Sequence, residues 1–306
     1  MRSFLFIPGD SPKKLEKGLG SGADALLLDL EDSISPQNKA AARDTTLAFL
    51  KEAVPVKARP RIYVRINGLQ TGLTDADLDV IVGGRPDGVM FPKAEGGAAV
   101  THCDAKLTAR EAIHGLADGA LDIIAIATET APAIFLAGTY GGSSKRLKGL
   151  TWGAEDLSVE LGAEANRDRD GHFLAPYQLA RSLCLAGAAA AQVQAIDTVY
   201  IDFRNEAGLR RECEEARRDG FTGKMAIHPA QVAVIKEVFT PTAEAVKRAE
   251  AVIAAFAENP GAGTVGIGGV MYDRPHLERA RQLLARAKGL FETVEQPGRL
   301  TVFQLA

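Results

Sequence analysis

The stretch GADALLLDLED, residues 22–32, decides the fold. Its centre is aliphatic at odd and even positions alike, and Asp29, Glu31 and Asp32 follow at once. A strand apolar at both parities is covered on both faces, as happens in parallel sheets flanked by helices. The three acids then stand at the carboxyl end of a buried strand, the end at which parallel α/β folds gather their polar groups.

Working outward, seven further runs read the same way: SFLFI before it, then RIYVRI, DGVMF, LDIIAIAT, LKGLTW, IDTVYIDF and GKMAI. Helix-patterned segments separate them, among them PKKLEKGLGSG, NKAAARDTTLAFLKE, YQLARSLCLAGAAAAQV and AGLRRECEEARRDG, several closed by glycine. Eight strand–helix pairs of about 30 residues each predict a (β/α)8 TIM barrel over residues 1–240. The alternative is a doubly wound open sheet, which places a Gly-rich phosphate turn after an early strand; no GxGxxG or GxxxxGK[ST] occupies such a position. GIGG at Gly266–Gly269 reads as a flexible turn. Residues 241–306 exceed what a barrel needs and predict a C-terminal helical extension and lid, entered by a helix, a turn at Thr240-Pro241 and a second helix.

Composition narrows the partners. A chain of 306 residues, 46% hydrophobic and 25% charged, buries a large core. The near balance of 36 basic and 39 acidic side chains argues against nucleic-acid and anionic-membrane surfaces, leaving a small molecule as the expected partner. Three scattered cysteines, Cys103, Cys184 and Cys213, fit a reducing cytoplasm and no zinc. The apolar run opening the chain breaks at Pro8-Gly9, too short for a signal peptide, and no run approaches membrane-spanning length.

Nearly every expected strand ends on a polar residue: Arg65 and Asn67, Lys93, Glu129, Glu155 and Asp156, Asp202, His228. Charges at the ends of buried strands are costly unless they pair or bind an ion. Glu129 and Asp156, on adjacent strands, suit a hard divalent cation with oxygen ligands, Mg2+ with Mn2+ as substitute. The competing role is capping of the next helix, for which Glu129 is poorly suited. Arg65 suits a carboxylate or enolate oxygen, or an ion pair with Asp29, Glu31 and Asp32, and the two are compatible. Lys14 and Lys17 follow the first strand, where they meet an anionic ligand or form a solvated face. His102, His114, His172 and His276 read as solvated; His228-Pro229 reads as a structural turn or a site residue.

Seven segments in order, FIPGDSPKKLEK, GADALLLDLEDSI, RIN, FPKAE, ATET, GAEDL and GKMAIHPAQ, together resemble the citrate lyase β-subunit family of the HpcH/HpaI aldolase superfamily, malyl-CoA lyases included. The resemblance covers nearly the whole chain. It implies a Mg2+-dependent carbon–carbon lyase that cleaves or forms a β-hydroxyacyl-CoA such as citryl-CoA or malyl-CoA, giving an acyl-CoA and a 2-oxo acid through a thioester enolate. It further implies Glu129 and Asp156 as metal ligands, Arg65 against the thioester or enolate oxygen, and Asp29, Glu31 and Asp32 as the support behind Arg65. Ala154 and Glu155 would receive the small acid's carboxylate, and Lys14 and Lys17 the phosphates of coenzyme A. Ser11 departs from the basic residue many relatives carry there. VMYDRPH resembles a lid that reaches a neighbouring subunit, which makes Asp273 catalytic and the protein a homo-oligomer, trimer or hexamer. The open alternatives are a hydroxy-acid aldolase without CoA, a complex subunit using an acyl-carrier-protein thioester, a malate synthase or thioesterase activity, and a non-catalytic binding protein.

Overall fold

The computed structural model describes residues 1–292. Eight parallel strands close into a barrel in chain order: β1 (Ser3–Pro8), β2 (Ala25–Asp29), β3 (Arg61–Arg65), β4 (Gly88–Phe91), β5 (Asp122–Ile126), β6 (Leu147–Thr151), β7 (Gln194–Asp197) and β8 (Gly223–Ala226). Ser3–Leu5 of β1 pair with Lys224–Ala226 of β8 and seal it. The helices between them include α1 (Pro12–Leu19), α2 (Lys39–Ala53), α3 (Thr74–Ile81), α4 (Gly96–Ile113), α5 (Ala131–Leu136), α6 (Ala154–Glu160), α7 (Ala175–Ala190) and α8 (Glu206–Asp219), with α9 (Ala230–Phe239) after β8. The TIM barrel read from the repeat is the fold observed.

Strand parity explains both cores. Phe4, Ala25, Leu27, Tyr63, Met90, Ile124, Ile126, Ile196 and Met225 point inward and fill the barrel. Their neighbours, such as Leu26, Leu28, Ile62, Val64, Val89 and Ile123, point outward against the helices. The same alternation carries Asp29 and Arg65 inward, one step above Leu27 and Tyr63, and the β2–β3 register makes those two residues direct partners.

Two expectations need correction. IDTVYIDF is a strand only to Asp197; its later residues leave the sheet, and β8 pairs with β7 only at Ile196 and Asp197. Thr198 and Val199 line a cavity instead, while Phe203 stacks on His228 with ring centroids 4.7 Å apart. His228 is accordingly a structural turn: its Nδ1 accepts the Ala230 N–H at 3.2 Å at the entry to α9. The GIGG turn is likewise shorter than expected. Gly266 and Ile267 belong to β9 (Thr264–Ile267), which pairs antiparallel with β10 (Val270–Asp273). Only Gly268 and Gly269 make the turn, at φ 56° and 80°, the positive values that a two-residue hairpin loop demands.

The chain divides into two compact units, the second starting at Thr240. In it α10 (Ala243–Glu258), the β9–β10 hairpin and α11 (Arg274–Glu292) pack around Ala249, Val252, Phe256, Val265, Leu277 and Ala280. Among the described residues no helix is long and apolar enough to cross a membrane.

Candidate active site

The carboxyl ends of the barrel strands surround a cavity of about 360 Å3. Phe6, Ile126 and Met225 give it an apolar lining, and Asp29, Asp32, Arg65, Glu129, Ala154, Glu155 and Asp156 supply polar groups. Most of the residues singled out from the sequence therefore meet in one place.

Arg65 is held by four acidic contacts. Its Nε and Nη2 donate to the two oxygens of Asp29, each at 2.7 Å, a bidentate fork that fixes the guanidinium plane. Nη1 lies 2.9 Å from Glu31 and 3.4 Å from Asp32, and the group sits 4.9 Å from the Phe6 ring centre. Asp29 is itself fixed by the N–H groups of Glu31 and Ser33, at 2.8 and 3.1 Å. Burial, the largest influence, would raise the Asp29 carboxyl, but Arg65 together with the hydrogen bonds from Ser33 and Glu31 outweighs it and holds the group below the ordinary range. The ion-pair reading is the arrangement observed, and the acids lock the arginine in place at the cavity wall.

Glu129 lies between β5 and α5 and is only 3% exposed. Thr130 caps α5, its hydroxyl accepting the Ala133 N–H at 3.3 Å, so Glu129 has no capping duty. One of its oxygens accepts the Lys93 N–H at 2.7 Å. Burial, then the charges of Asp156 and Glu31, push its carboxyl up to about 8. Asp156 sits on the first turn of α6 rather than at the end of β6 itself, with an oxygen 3.1 Å from Lys93 Nζ.

These groups fit a hard divalent cation. A buried carboxylate crowded by a second carboxylate keeps its charge far more cheaply beside a cation. Among the described residues no three His, Cys, Asp or Glu side chains form a ready cage, and Mg2+ characteristically takes one or two carboxylates with water and substrate oxygens.

The raised Glu129 value has a consequence for pH. In the fold the carboxyl retains its proton while the unfolded chain has already lost it, so between about 4.5 and about 8 this group lowers folding stability as pH rises. Metal binding requires the ionised form and must expel that proton. Mg2+ affinity is therefore expected to strengthen roughly tenfold per pH unit up to about 8 and then level off. Calorimetric titration in buffers of different ionisation heat reads both affinity and proton release; a flat profile contradicts the assignment.

Gly153 makes room for Glu129. A Cβ at this position meets Glu129 Oε1 at 2.8 Å, so Gly153→Ala is expected to displace the carboxylate and weaken Mg2+ affinity about tenfold, with folding retained. An unchanged affinity contradicts this.

Lys14 and Lys17 stay exposed on α1, outside the lining of the cavity. Asp273 ends β10 in the second unit. Its carboxylate makes a short hydrogen bond with His276 Nδ1, and that bond holds the Asp273 carboxyl below the ordinary range. His276, read from sequence as solvated, is therefore half-exposed but engaged. Lys93, in sequence no more than a polar strand end, reaches Glu31 at 2.6 Å as well as Asp156 with its ammonium.

The chain belongs to the HpcH/HpaI aldolase/citrate lyase family, which it matches over residues 2–229. The description C–C bond lyase of the TIM-barrel fold also matches residues 174–290. It is similar to the (3S)-malyl-CoA thioesterase of Cereibacter sphaeroides (strain ATCC 17029 / ATH 2.4.9), with 36% identity covering 94% of this chain and 95% of that protein. The mitochondrial citramalyl-CoA lyase of Rattus norvegicus is 34% identical over 95% of this chain and 87% of its own length. Among solved structures, the CitE protein of Mycobacterium tuberculosis in complex with magnesium, acetoacetate and coenzyme A superposes with a TM-score of 0.77 at 31% identity, covering 94% of this chain and 98% of that one.

Proposed function

We propose that the chain is a Mg2+-dependent carbon–carbon lyase that cleaves, or in reverse forms, a β-hydroxyacyl thioester of coenzyme A, releasing an acyl-CoA and a 2-oxo acid. The observation that carries this reading is the convergence of Arg65 with Glu129 and Asp156 on one cavity. Glu129 and Asp156 would hold Mg2+, which when bound acidifies the substrate hydroxyl and stabilises the 2-oxo acid.

Cleavage gives the hydroxyl proton up to solvent water, breaks the bond between the carbinol carbon and the carbon next to the thioester, and sends that electron pair onto the thioester oxygen. Arg65, prevented from moving by Asp29 and Glu31, offers a preorganised positive charge to the developing enolate. The N–H groups of Ala154 and Glu155 open α6 and are available to the acid's carboxylate. Asp273, acting from a neighbouring subunit of a homo-oligomer, returns a proton to the enolate carbon or, in condensation, removes it. Its ionised form, favoured by His276, suits the latter. Lys14 and Lys17, exposed at the start of the barrel, would meet the coenzyme's phosphates. The three buried free cysteines agree with a reducing, cytoplasmic location.

A second reading, hydrolysis of the thioester after condensation, is supported by the name of the Cereibacter relative. Incubating acetyl-CoA or propionyl-CoA with glyoxylate, pyruvate or oxaloacetate and Mg2+ separates the two. A hydroxyacyl-CoA product is expected for at least one pair; free CoA with a free hydroxy acid supports hydrolysis, and no product from any pair contradicts both. Mixing Asp273→Asn with an Arg65-inactivated protein under subunit exchange is expected to restore part of the activity, and no rescue counts against action between subunits.

A further inference from the structure

Lys93 follows β4 in the left-handed region, at φ 49°, which a side-chain-bearing residue seldom adopts. That turn lets one residue face the site twice. Its N–H donates to Glu129 at 2.7 Å, while its ammonium lies 2.6 Å from Glu31, 3.1 Å from Asp156 and 3.8 Å from Asp32. It thus ties the acids that restrain Arg65 to the pair read as metal ligands. Its hold on the cavity runs through Glu129 and Asp156, both of which line it. The cluster opposes five carboxylates, Asp29, Glu31, Asp32, Glu129 and Asp156, with three positive side chains: Arg65, Lys93 and, behind the β2 acids, Lys39, whose ammonium lies 2.6 Å from the Glu31 carbonyl oxygen.

We propose that Lys93 is a positioning residue and an electrostatic counterweight: it aligns Asp156 and Glu129 with the Glu31–Arg65 pair, and its fixed charge restrains how tightly those two carboxylates bind a divalent cation. The inference rests on reading Glu129 and Asp156 as metal ligands. It separates two quantities that a purely structural lysine leaves together. Removing a positive charge a few ångströms from a cation strengthens the cation's binding even as lost alignment slows the reaction. A lysine that merely holds the fold together would weaken both.

The test is Mn2+ binding to the full chain without substrate, followed by the electron paramagnetic resonance signal of free Mn2+ at pH 8.5, together with turnover in saturating metal. Lys93→Met is expected to bind Mn2+ about tenfold more tightly and to lose at least about tenfold in kcat. Lys93→Arg keeps the charge, so its affinity should stay within about threefold of the parent; this variant carries the test if the methionine protein does not fold. Unchanged or weaker Mn2+ binding in Lys93→Met, full turnover by it, or a tenfold gain in Lys93→Arg overturns the proposal. Glu129→Gln serves as the control. Mn2+ binding that survives it removes the metal site and this inference together, whereas binding lost there but not strengthened in Lys93→Met removes only the role of Lys93.

Discussion

Glu129→Gln is expected to abolish Mg2+-dependent turnover, by at least about 10^3-fold, without unfolding the chain. The substitution keeps the shape of the side chain and an oxygen for the Lys93 N–H, 2.7 Å away in the parent. What it removes is the charge. A site left with Asp156 alone cannot compensate the dehydration of a divalent cation, so binding measured without substrate should fall by two orders of magnitude or more, about 3 kcal/mol. Stability should move the other way. Because burial and the neighbouring acids push the Glu129 carboxyl up to about 8, ionising it above that pH costs the metal-free fold, and an uncharged amide does not pay that cost. With chelator present at pH 8.5, the melting temperature of the variant should equal or exceed the parent's. A variant that melts lower, or that retains Mg2+ binding, contradicts the role assigned to this residue.

Arg65→Met carries the second large effect, and here activity and stability fall together. Loss of a preorganised charge facing a developing oxyanion costs roughly 10^2- to 10^3-fold in kcat. The variant also leaves Asp29, 2% exposed, without the partner that holds it ionised, and breaking a buried pair from one side costs roughly 3–5 kcal/mol. Arg65→Met combined with Asp29→Asn removes the orphaned charge. The double variant is expected to recover much of the stability measured by urea unfolding and none of the turnover. Recovery of both would make Arg65 a structural residue only, and recovery of neither would locate the damage elsewhere in the acid cluster.

Much of this site was legible because strand parity is a strict geometric rule. Once ALLLD and RIYVR are read as strands buried on both faces, period-two alternation sends Asp29 and Arg65 inward at the mouth, and the observed register makes them neighbours. Charge chemistry then singled out Glu129 and Asp156, two acids read at adjacent strand ends, although Asp156 in fact stands one step further on, in the first turn of α6. The family resemblance, borne out by the match over residues 2–229, added the proposal that this cation site is a lyase centre.

The remainder depended on backbone conformation that side-chain patterns encode weakly. Nothing in Pro92-Lys93-Ala94 signals a positive φ, so the double reach of Lys93 was invisible. The end of β7 was overread because Val199 and Ile201 look like strand residues; Val199 in fact lines the cavity and Ile201 is 51% exposed. Two signals were present but misjudged. Alternation on either side of Gly268-Gly269 is a hairpin pattern, and the three-residue spacing of Asp273 and His276 fits a pair at the start of α11, where the Asp273 carboxylate accepts both the His276 backbone N–H, at 3.3 Å, and its Nδ1–H.

The most direct test of the account is to purify a hydroxyacyl-CoA formed in the condensation panel, return it to the enzyme, and quantify the 2-oxo acid and the acyl-CoA across a Mg2+ titration. The two products are expected in equal amounts, at a rate that saturates with Mg2+ and vanishes with chelator. Cleavage that persists in chelator, or free CoA accumulating in place of the acyl-CoA, would contradict a metal-dependent carbon–carbon lyase.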